Sequence, residues 1–457
     1  MKVTAVLLAA GQGTRMKSDL PKMLHPLCGK PMLFHSLAAV RGASSEPPVV
    51  IVGAEADPIR RSVSGDVRFA VQDRQLGTGH ALLQAESLLK GRTDYVLVTY
   101  GDMPLLQAST LAHLIETQKS SRGPLTMLTV LADDPRGFGR VLRNADGTVA
   151  AIVEESAATA EQLQVRELNV GAYCFKADWL WDALHRIKVS PQGEYYLTDT
   201  AGLAAGEGLP IQAVVCADPL ETIGINTRVH LAEAEAVMRA RINREHMLNG
   251  VTIMNPDTTY IETDVRIGKD TLILPNTYVL GGTVIGARNR IGPNSHIRDS
   301  QIGNDCQILM SVVEGAVIED HVDIGPFARL RTGAHLGQHV HMGNFGEVKD
   351  SHLGAGVKMG HFSYIGNATI GPNTNIGAGT ITCNFDGLNK NPTEIGEDVF
   401  LGSDSMLVAP LKIGDRARTG AGAVVTKDVP PDMLAVGMPA RAIKKLDTRT
   451  PKAKDKK

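Results

Sequence analysis

The sequence predicts an α/β chain in two parts: a mainly parallel, helix-covered sheet of Rossmann-like type, followed by a parallel β-helix. Three observations carry this reading. Before residue 228, short aliphatic runs alternate with helix-like stretches. An amphipathic helical pattern follows over 229–250. From about 251 onward, an aliphatic residue followed by glycine recurs on a six-residue beat.

The first part, residues 1–228, contains the runs VTAVLLAA, PVVIVGA and YVLVTYGD. They alternate with helical stretches such as TGHALLQAESLLK and STLAHLIETQKSS. Aliphatic strands in alternation with helices predict βαβ units and a sheet covered on both faces. In the stretch 229–250, Leu231, Ala234, Val237, Met238 and Ile242 fall at helical spacing, and Gly250 stands as a stop signal. It is read as a linker helix.

Over 251–445, pairs such as Ile285-Gly286, Ile291-Gly292, Ile302-Gly303, Ile365-Gly366, Ile370-Gly371 and Ile376-Gly377 are separated mostly by six residues or close multiples. Such a period marks a coil of three flat faces with the aliphatic side chain turned inward. Glycine and asparagine are expected at corners with positive φ, and aromatics, 4% of the chain, are too bulky for a narrow interior. The beat breaks between Ile376 and Ile395, so residues 380–394 are read as a loop extruded from a corner. The lysine-rich stretch 446–457 has no period and is expected to be a disordered tail.

With 457 residues the chain is long enough for several cores, and its formal net charge of -2 favours neither nucleic acid nor an anionic membrane as partner. Five scattered cysteines without a C-x-x-C spacing suggest neither a disulfide framework nor a zinc knuckle, which favours a reducing cytoplasm. The opening apolar run is short and passes into a Gly-rich turn, unlike a signal peptide, and no apolar run approaches the ~20 residues that cross a bilayer.

In LLAAGQGTRMKSDLPKML, Gly11 and Gly13 follow an apolar strand and leave backbone N–H groups open to phosphate, while Arg15 and Lys22 add positive charge. Met16 stands where a dinucleotide fingerprint would have its third glycine, and no P-loop occurs. Asp102, after YVLVTYGD, is expected at the carboxyl end of a parallel strand, where α/β proteins bind ligands.

The string L-A-A-G-x-G-T-R-M with its following P-K resembles the sugar-nucleotidyltransferase (nucleoside-diphosphate-sugar pyrophosphorylase) family. QDRQLGTGHA, YGDMPLL, GFGRV, IVEE, ELNVGAY, GEYYLTD and TIGINTR agree in order. Together with the hexapeptide part, the chain to about residue 440 resembles the bifunctional N-acetylglucosamine-1-phosphate uridyltransferase/glucosamine-1-phosphate acetyltransferase family, in which the β-helix is left-handed. The resemblance implies acetylation of glucosamine 1-phosphate by acetyl-CoA, then transfer of UMP from UTP with release of pyrophosphate. The product supplies peptidoglycan and lipopolysaccharide precursors.

The resemblance further implies a nucleotide and sugar site of Leu8, Gly11, Gly13, Lys22, Gln72, Gln75, Gly77, Thr78, Tyr100, Gly101, Asp102, Gly139, Glu154, Asn169 and Asn226. Asp102 and Asn226 would hold Mg²⁺, whose preference is for hard oxygen ligands. Arg15 and Lys22 would spread the triphosphate charge. Val170 departs from the family, which more often has threonine there.

For acetyl transfer it implies His361 as general base, since an imidazole titrates near neutrality and can take a proton from the attacking amine. Arg331, Lys349, Tyr364, Asn375 and Lys390 would bind the sugar phosphate. Ala378, Asn384, Phe385, Ser403 and Ala421 would bind acetyl-CoA, with Phe385 standing where the family commonly has tyrosine. Glu347 is expected to orient His361 through a hydrogen bond. A homotrimer with acetyl-transfer sites at its interfaces is likewise implied. Two other readings stand beside this one: a nucleotidyltransferase with a purely structural β-helix, and a non-catalytic regulatory subunit. Retention of Asp102, Asn226, Arg15 and Lys22 together argues against the second.

Overall fold

The computed structural model describes residues 1–445, so the tail expected over 446–457 lies outside the described residues. The chain divides into two compact units, Met1–Met238 and Arg239–Lys457. The helix Arg228–Leu248 occupies the stretch read as a linker, and the division falls within it.

In the first unit the sheet runs, edge to edge, Ile211–Val215, Leu125–Leu131, Glu167–Lys176, Tyr95–Tyr100, Val3–Leu8, Glu46–Gly53 and Arg68–Gln72. Successive residues of the central strands face opposite cores. Leu7 and Leu97 join Leu111 and Leu114 on one side, and Val6, Leu8, Val96 and Val98 join Leu82 and Trp181 on the other. Burial on both faces is why these strands read as unbroken aliphatic runs. The chain builds outward from Val3–Leu8 to one edge, then returns to Tyr95–Tyr100 on its other flank. The topological switch point, where open α/β sheets bind ligands, therefore lies between those two strands.

The sheet is more mixed than the alternation of runs suggests: Glu167–Lys176 is antiparallel to both neighbours. A parallel neighbour needs a helical crossover. Here the chain between Leu131 and Glu167 forms only the hairpin Arg140–Arg143/Val149–Val153 and two short 3₁₀ turns, so it returns antiparallel.

The second unit is a left-handed parallel β-helix of three sheets with 12, 10 and 9 strands. The strands of the coils pair in parallel from one coil to the next, as in the inward column Ile273, Ile291, Ile308, Ile324, Met342 and Met359, and the 12-stranded sheet closes with the antiparallel pair Met433–Gly437 and Ala440–Lys445. Each coil advances the stack by about 4.8 Å. The corners differ from expectation. Besides glycine and asparagine, aspartate, arginine, histidine and even Phe327 and Phe345 adopt positive φ. Stacking between successive corners, with ring centroids 4.8 Å apart for His321 and His339 and 5.5 Å for Phe327 and Phe345, offsets the conformational cost. Among the described residues, no helix is long and apolar enough to cross a membrane.

Candidate functional site

The loop after Val3–Leu8 and the segment carrying Lys22 enclose a cleft of ≈ 570 Å³, around which the structure gathers Gly11, Lys22, Gln72 and Gln75. Gly13 has φ 67° and lies under Lys22, whose Cβ would meet any Cβ added at 2.6 Å. Only glycine allows both the left-handed backbone and this close packing. Lys22 is 8% exposed, too buried to remain without a counter-charge. Its ammonium donates to Asp102 Oδ2 and, at 2.8 Å, to Asn226 Oδ1.

Asp102 leaves the carboxyl end of Tyr95–Tyr100, where Gly101 N donates to Leu8 O at 3.0 Å across the switch point. Asn226 is brought alongside by a main-chain bond, Ile225 N to Asp102 O at 2.9 Å. Two hard oxygens thus converge on one cationic atom, the donor chemistry that suits a small divalent ion completed by phosphate and water. Among the described residues no group of three His, Cys, Asp or Glu side chains could hold a metal, so a cation here would take most of its ligands from substrate and solvent.

The other predicted residues fall into linked sets. Gln75 Nε2 donates to Ala10 O at 2.8 Å, and Gln72 Nε2 to Gly77 O at 3.0 Å. Thr78 Oγ1 accepts from Leu197 N at 3.0 Å and shares a hydrogen bond with Tyr100. Burial, then the charges of Glu154 and Asp102, push the Tyr100 phenol well above its ordinary range. Glu154 receives a hydrogen bond from Thr198 at 2.8 Å, yet burial pushes its carboxyl upward. Asn169 N donates to Gly139 O at 2.9 Å, and its amide to Tyr173 Oη at 2.7 Å. Val170 is buried in the core, so it offers no group to a ligand. Arg15 stands exposed on the turn Thr14–Met16, outside the ring of residues around the cleft.

In the β-helix, the strands Gly346–Lys349, Ser363–Gly366 and Ile381–Cys383 stack on one face. His361 is exposed at the corner before the second of them. A Cβ on Gly366 would strike Tyr364 Oη and come within 2.8 Å of Asn384 Nδ2, so the tyrosine hydroxyl and the asparagine amide converge over this glycine. Asn384 also donates to Asn367 Oδ1 at 2.7 Å, and Asn367 N to Lys349 O at 3.2 Å. Asn375 stands on a neighbouring face, in register between Lys358 and Phe400. Ala378, Ser403 and Ala421 follow the same glycine on successive coils, and main-chain bonds Asp404 N to Ala378 O and Gly422 N to Ser403 O (2.6 and 2.8 Å) hold the column together.

Two expectations are corrected. Glu347 places its carboxylate on Arg331, 3.0 Å from Nη1, rather than on His361, because the stacking register sets it beside the preceding coil. The extruded segment is also shorter than 380–394. Ile381–Cys383 and Thr393–Ile395 complete coil faces, leaving residues 384–392 outside. That loop is folded on itself, with Lys390 Nζ 4.7 Å from the Phe385 ring centroid. Residues the sequence reading passed over include Thr198, Asn367 and Arg228. The first and last lie in the strings GEYYLTD and TIGINTR, but their contacts cross 44 and 212 positions of sequence.

The chain matches the MobA-like NTP transferase domain over residues 5–166 and the bacterial transferase hexapeptide (six repeats) over 264–299 and 392–427. It is 48% identical over 434 residues to the bifunctional protein GlmU of Streptococcus suis (strain 98HAH33), covering 95% of this chain and 94% of the relative. It is 46% identical over 434 residues to that of Streptococcus agalactiae serotype V, covering 95% of each. It is 44% identical over 446 residues to that of Geobacillus sp. (strain WCH70), covering 97% of each.

Proposed function

The chain belongs to the GlmU family of bifunctional uridyltransferase/acetyltransferases of UDP-N-acetylglucosamine synthesis, and from that premise we propose how its own residues divide the two reactions. The observation that carries the first assignment is the convergence of Lys22, Asp102 and Asn226 at the switch point.

In uridylyl transfer, a phosphate oxygen of N-acetylglucosamine 1-phosphate forms a bond to the α-phosphorus of UTP as the bond to the bridging oxygen breaks and pyrophosphate leaves. No protein nucleophile is needed, so the protein contributes position and charge. Gly11 and Gly13 present main-chain N–H groups, and Lys22, joined by Arg15 from the adjoining turn, neutralises the triphosphate. Gln72, Gln75, Gly77 and Thr78 read uracil. Gly139, Glu154 and Asn169 hold the amino sugar. Asp102 and Asn226 would hold Mg²⁺, which supplies charge neutralisation on the phosphates when bound.

In acetyl transfer, His361 takes the proton from the 2-amino group of glucosamine 1-phosphate as nitrogen attacks the thioester carbonyl and the CoA thiolate leaves. Arg331 and Lys349 face the substrate phosphate, with Tyr364, Asn375 and Lys390 about the sugar. The column Ala378, Ser403 and Ala421 leaves room for the pantetheine arm, and Asn384 and Phe385 complete the acetyl-CoA site. A cytoplasmic homotrimer, with acetyl-transfer sites at its interfaces, fits this reading.

The test is product analysis by mass spectrometry on the full chain with glucosamine 1-phosphate, acetyl-CoA, UTP and Mg²⁺. Asp102→Ala is expected to stop at N-acetylglucosamine 1-phosphate. His361→Ala is expected to make no acetylated sugar yet still convert added N-acetylglucosamine 1-phosphate. Loss of both activities in either variant, without unfolding, overturns the division.

A further inference from the structure

We propose that Arg228 and Glu235 are positioning residues for uridylyl transfer: from one face of one helix they grip both ends of the segment that carries Lys22. The proposal rests on the reading of Lys22 as a triphosphate ligand.

The segment between Met16 and Cys28 holds a 3₁₀ turn over Lys22–Leu24 and a two-residue strand, Pro26–Leu27, which turns at Cys28–Gly29 to pair with Lys30–Pro31. Each end passes through a non-glycine residue in the left-handed region, Lys17 at φ 48° and Cys28 at φ 43°. Such conformations persist only where the surroundings over-determine them. At those two points the helix Arg228–Leu248 adds its hold to the local turns, the Lys17 N bond to Thr14 O at 3.1 Å and the hairpin at Cys28–Gly29. Arg228 Nε donates to Met16 O at 3.2 Å, next to Lys17, and Glu235 Oε2 accepts from Cys28 N at 2.9 Å. The Cys28 thiol also lies 3.4 Å from Glu235 Oε1.

The spacing of the two side chains suits the task. Positions 228 and 235 are two turns apart, so they project from the same side of the helix roughly 10 Å from one another. Between them Leu231 and Ala234, and just beyond them Val237 and Met238, pack on Met16, Leu27, Met32 and Ile225. The apolar contact gives adhesion without fixing register, whereas two charged groups on main-chain atoms set where the segment sits. The same helix begins two residues after Asn226, so one rigid element fixes both Lys22 and an oxygen that Lys22 reaches.

The experiment is steady-state kinetics on the full chain with Glu235→Ala, Glu235→Gln, Arg228→Met and, as reference, Lys22→Ala, varying UTP and the sugar phosphate separately. Acetyl transfer is measured on the same preparations as an internal control of folding. Glu235→Ala and Arg228→Met are expected to raise the KM for UTP about tenfold, the loss of one charged hydrogen bond. The KM for N-acetylglucosamine 1-phosphate and the rate of acetylation should hold within about twofold, and Glu235→Gln, which can still accept from Cys28 N, should restore most of the affinity for UTP. If Lys22→Ala raises the KM for UTP while the helix variants do not, the grip is refuted and the reading of Lys22 survives. If Lys22→Ala leaves that KM unchanged, the reading of Lys22 fails and the proposal with it. If both substrates and acetylation suffer alike, or glutamine does not rescue, the two residues serve only general stability and the proposal is overturned.

Discussion

The ammonium of Lys22 lies 2.8 Å from the side-chain carbonyl of Asn226, with the carboxylate of Asp102 on the same nitrogen. The lysine thus occupies the point toward which both hard oxygens are directed. A divalent ion cannot share that point with an ammonium, because two cations a few ångströms apart repel. On the proposed reading, Lys22 is expected to swing away when a divalent ion fills the site and to take a bound triphosphate as its partner instead. Lys22→Met should therefore bind Mn²⁺ roughly tenfold more tightly than the parent in the absence of nucleotide, while its uridylyl transfer falls by about 10²-fold or more. Mn²⁺ titration followed by electron paramagnetic resonance reads the first effect. Equal or weaker binding in the variant would show that the lysine does not compete for the site.

Over the β-helix, Gly366 leaves the space in which Tyr364 Oη and Asn384 Nδ2 meet. A methyl group there has no route of relief that keeps both side chains in place. Gly366→Ala should lower acetyl transfer roughly 10²-fold, the effect of an ångström-scale misplacement at a reacting centre. Uridylyl transfer, which depends on the other unit, should be retained. Assaying the two half-reactions separately on one preparation checks this, and an unaltered acetylation rate would mean that neither side chain is held there for catalysis.

Which parts of this architecture could be read from sequence follows from which interactions are periodic. The β-helix was legible because an inward aliphatic must recur with every face, and Ile273, Ile291, Ile308 and Ile324 keep that rule. The end points of the extruded loop were not, since the gap from Ile376 to Ile395 does not say how many flanking residues finish a face. The partner of Glu347 was misread for a related reason. Glu347 was expected on His361, but contacts between coils join residues about 17 apart, and the register, which sets Glu347 opposite Arg329, brings Arg331 within reach. In the first unit the strands and Asp102 were visible in aliphatic runs and motif strings. The antiparallel strand Glu167–Lys176 and the grip of Arg228 and Glu235 depend on chain return and tertiary docking, which leave no local pattern.

Glu154, proposed above to hold the amino sugar, offers a pH-dependent test of the burial of its carboxyl. Burial, with added repulsion from Asp199 and Glu194 and opposed by the Thr198 hydrogen bond, raises its carboxyl above the ordinary range. A folded-state pKa above the unfolded one means that the folded chain holds this proton more tightly. The associated stability is full below the ordinary carboxylate range and is lost as pH rises through the raised value. A glutamine stays neutral throughout and loses nothing. Glu154→Gln should therefore melt at a higher temperature than the parent at neutral pH, with the difference closing as pH falls toward about 4. Thermal scans across that interval check the sign, and a gain that grows on acidification would refute burial as the dominant influence.

The loop of residues 384–392 owes its shape to Asp386. Its carboxylate accepts from Leu388 N at 2.8 Å, Asn389 N at 2.7 Å and Asn391 Nδ2 at 2.9 Å. These bonds to the charged form lower its pKa to about 2. Because the shift is downward, the turn's electrostatic support is present above the ordinary carboxylate range and is lost only as pH falls toward that value. Asn391 N in turn donates to Asn384 O at 2.7 Å, so the turn helps to hold Asn384 where its amide meets Tyr364 over Gly366. Asp386→Ala removes all three acceptor contacts, and Asp386→Asn keeps an oxygen for the two main-chain donors but not for Asn391. The alanine variant should raise the KM for acetyl-CoA about tenfold and the asparagine variant by less, with uridylyl transfer intact. Across the neutral range the parent's KM for acetyl-CoA should show no titration from this group. An alanine variant indistinguishable from the parent would mean that Asn384 is held without the turn, by its bonds to Asn367 and Thr382.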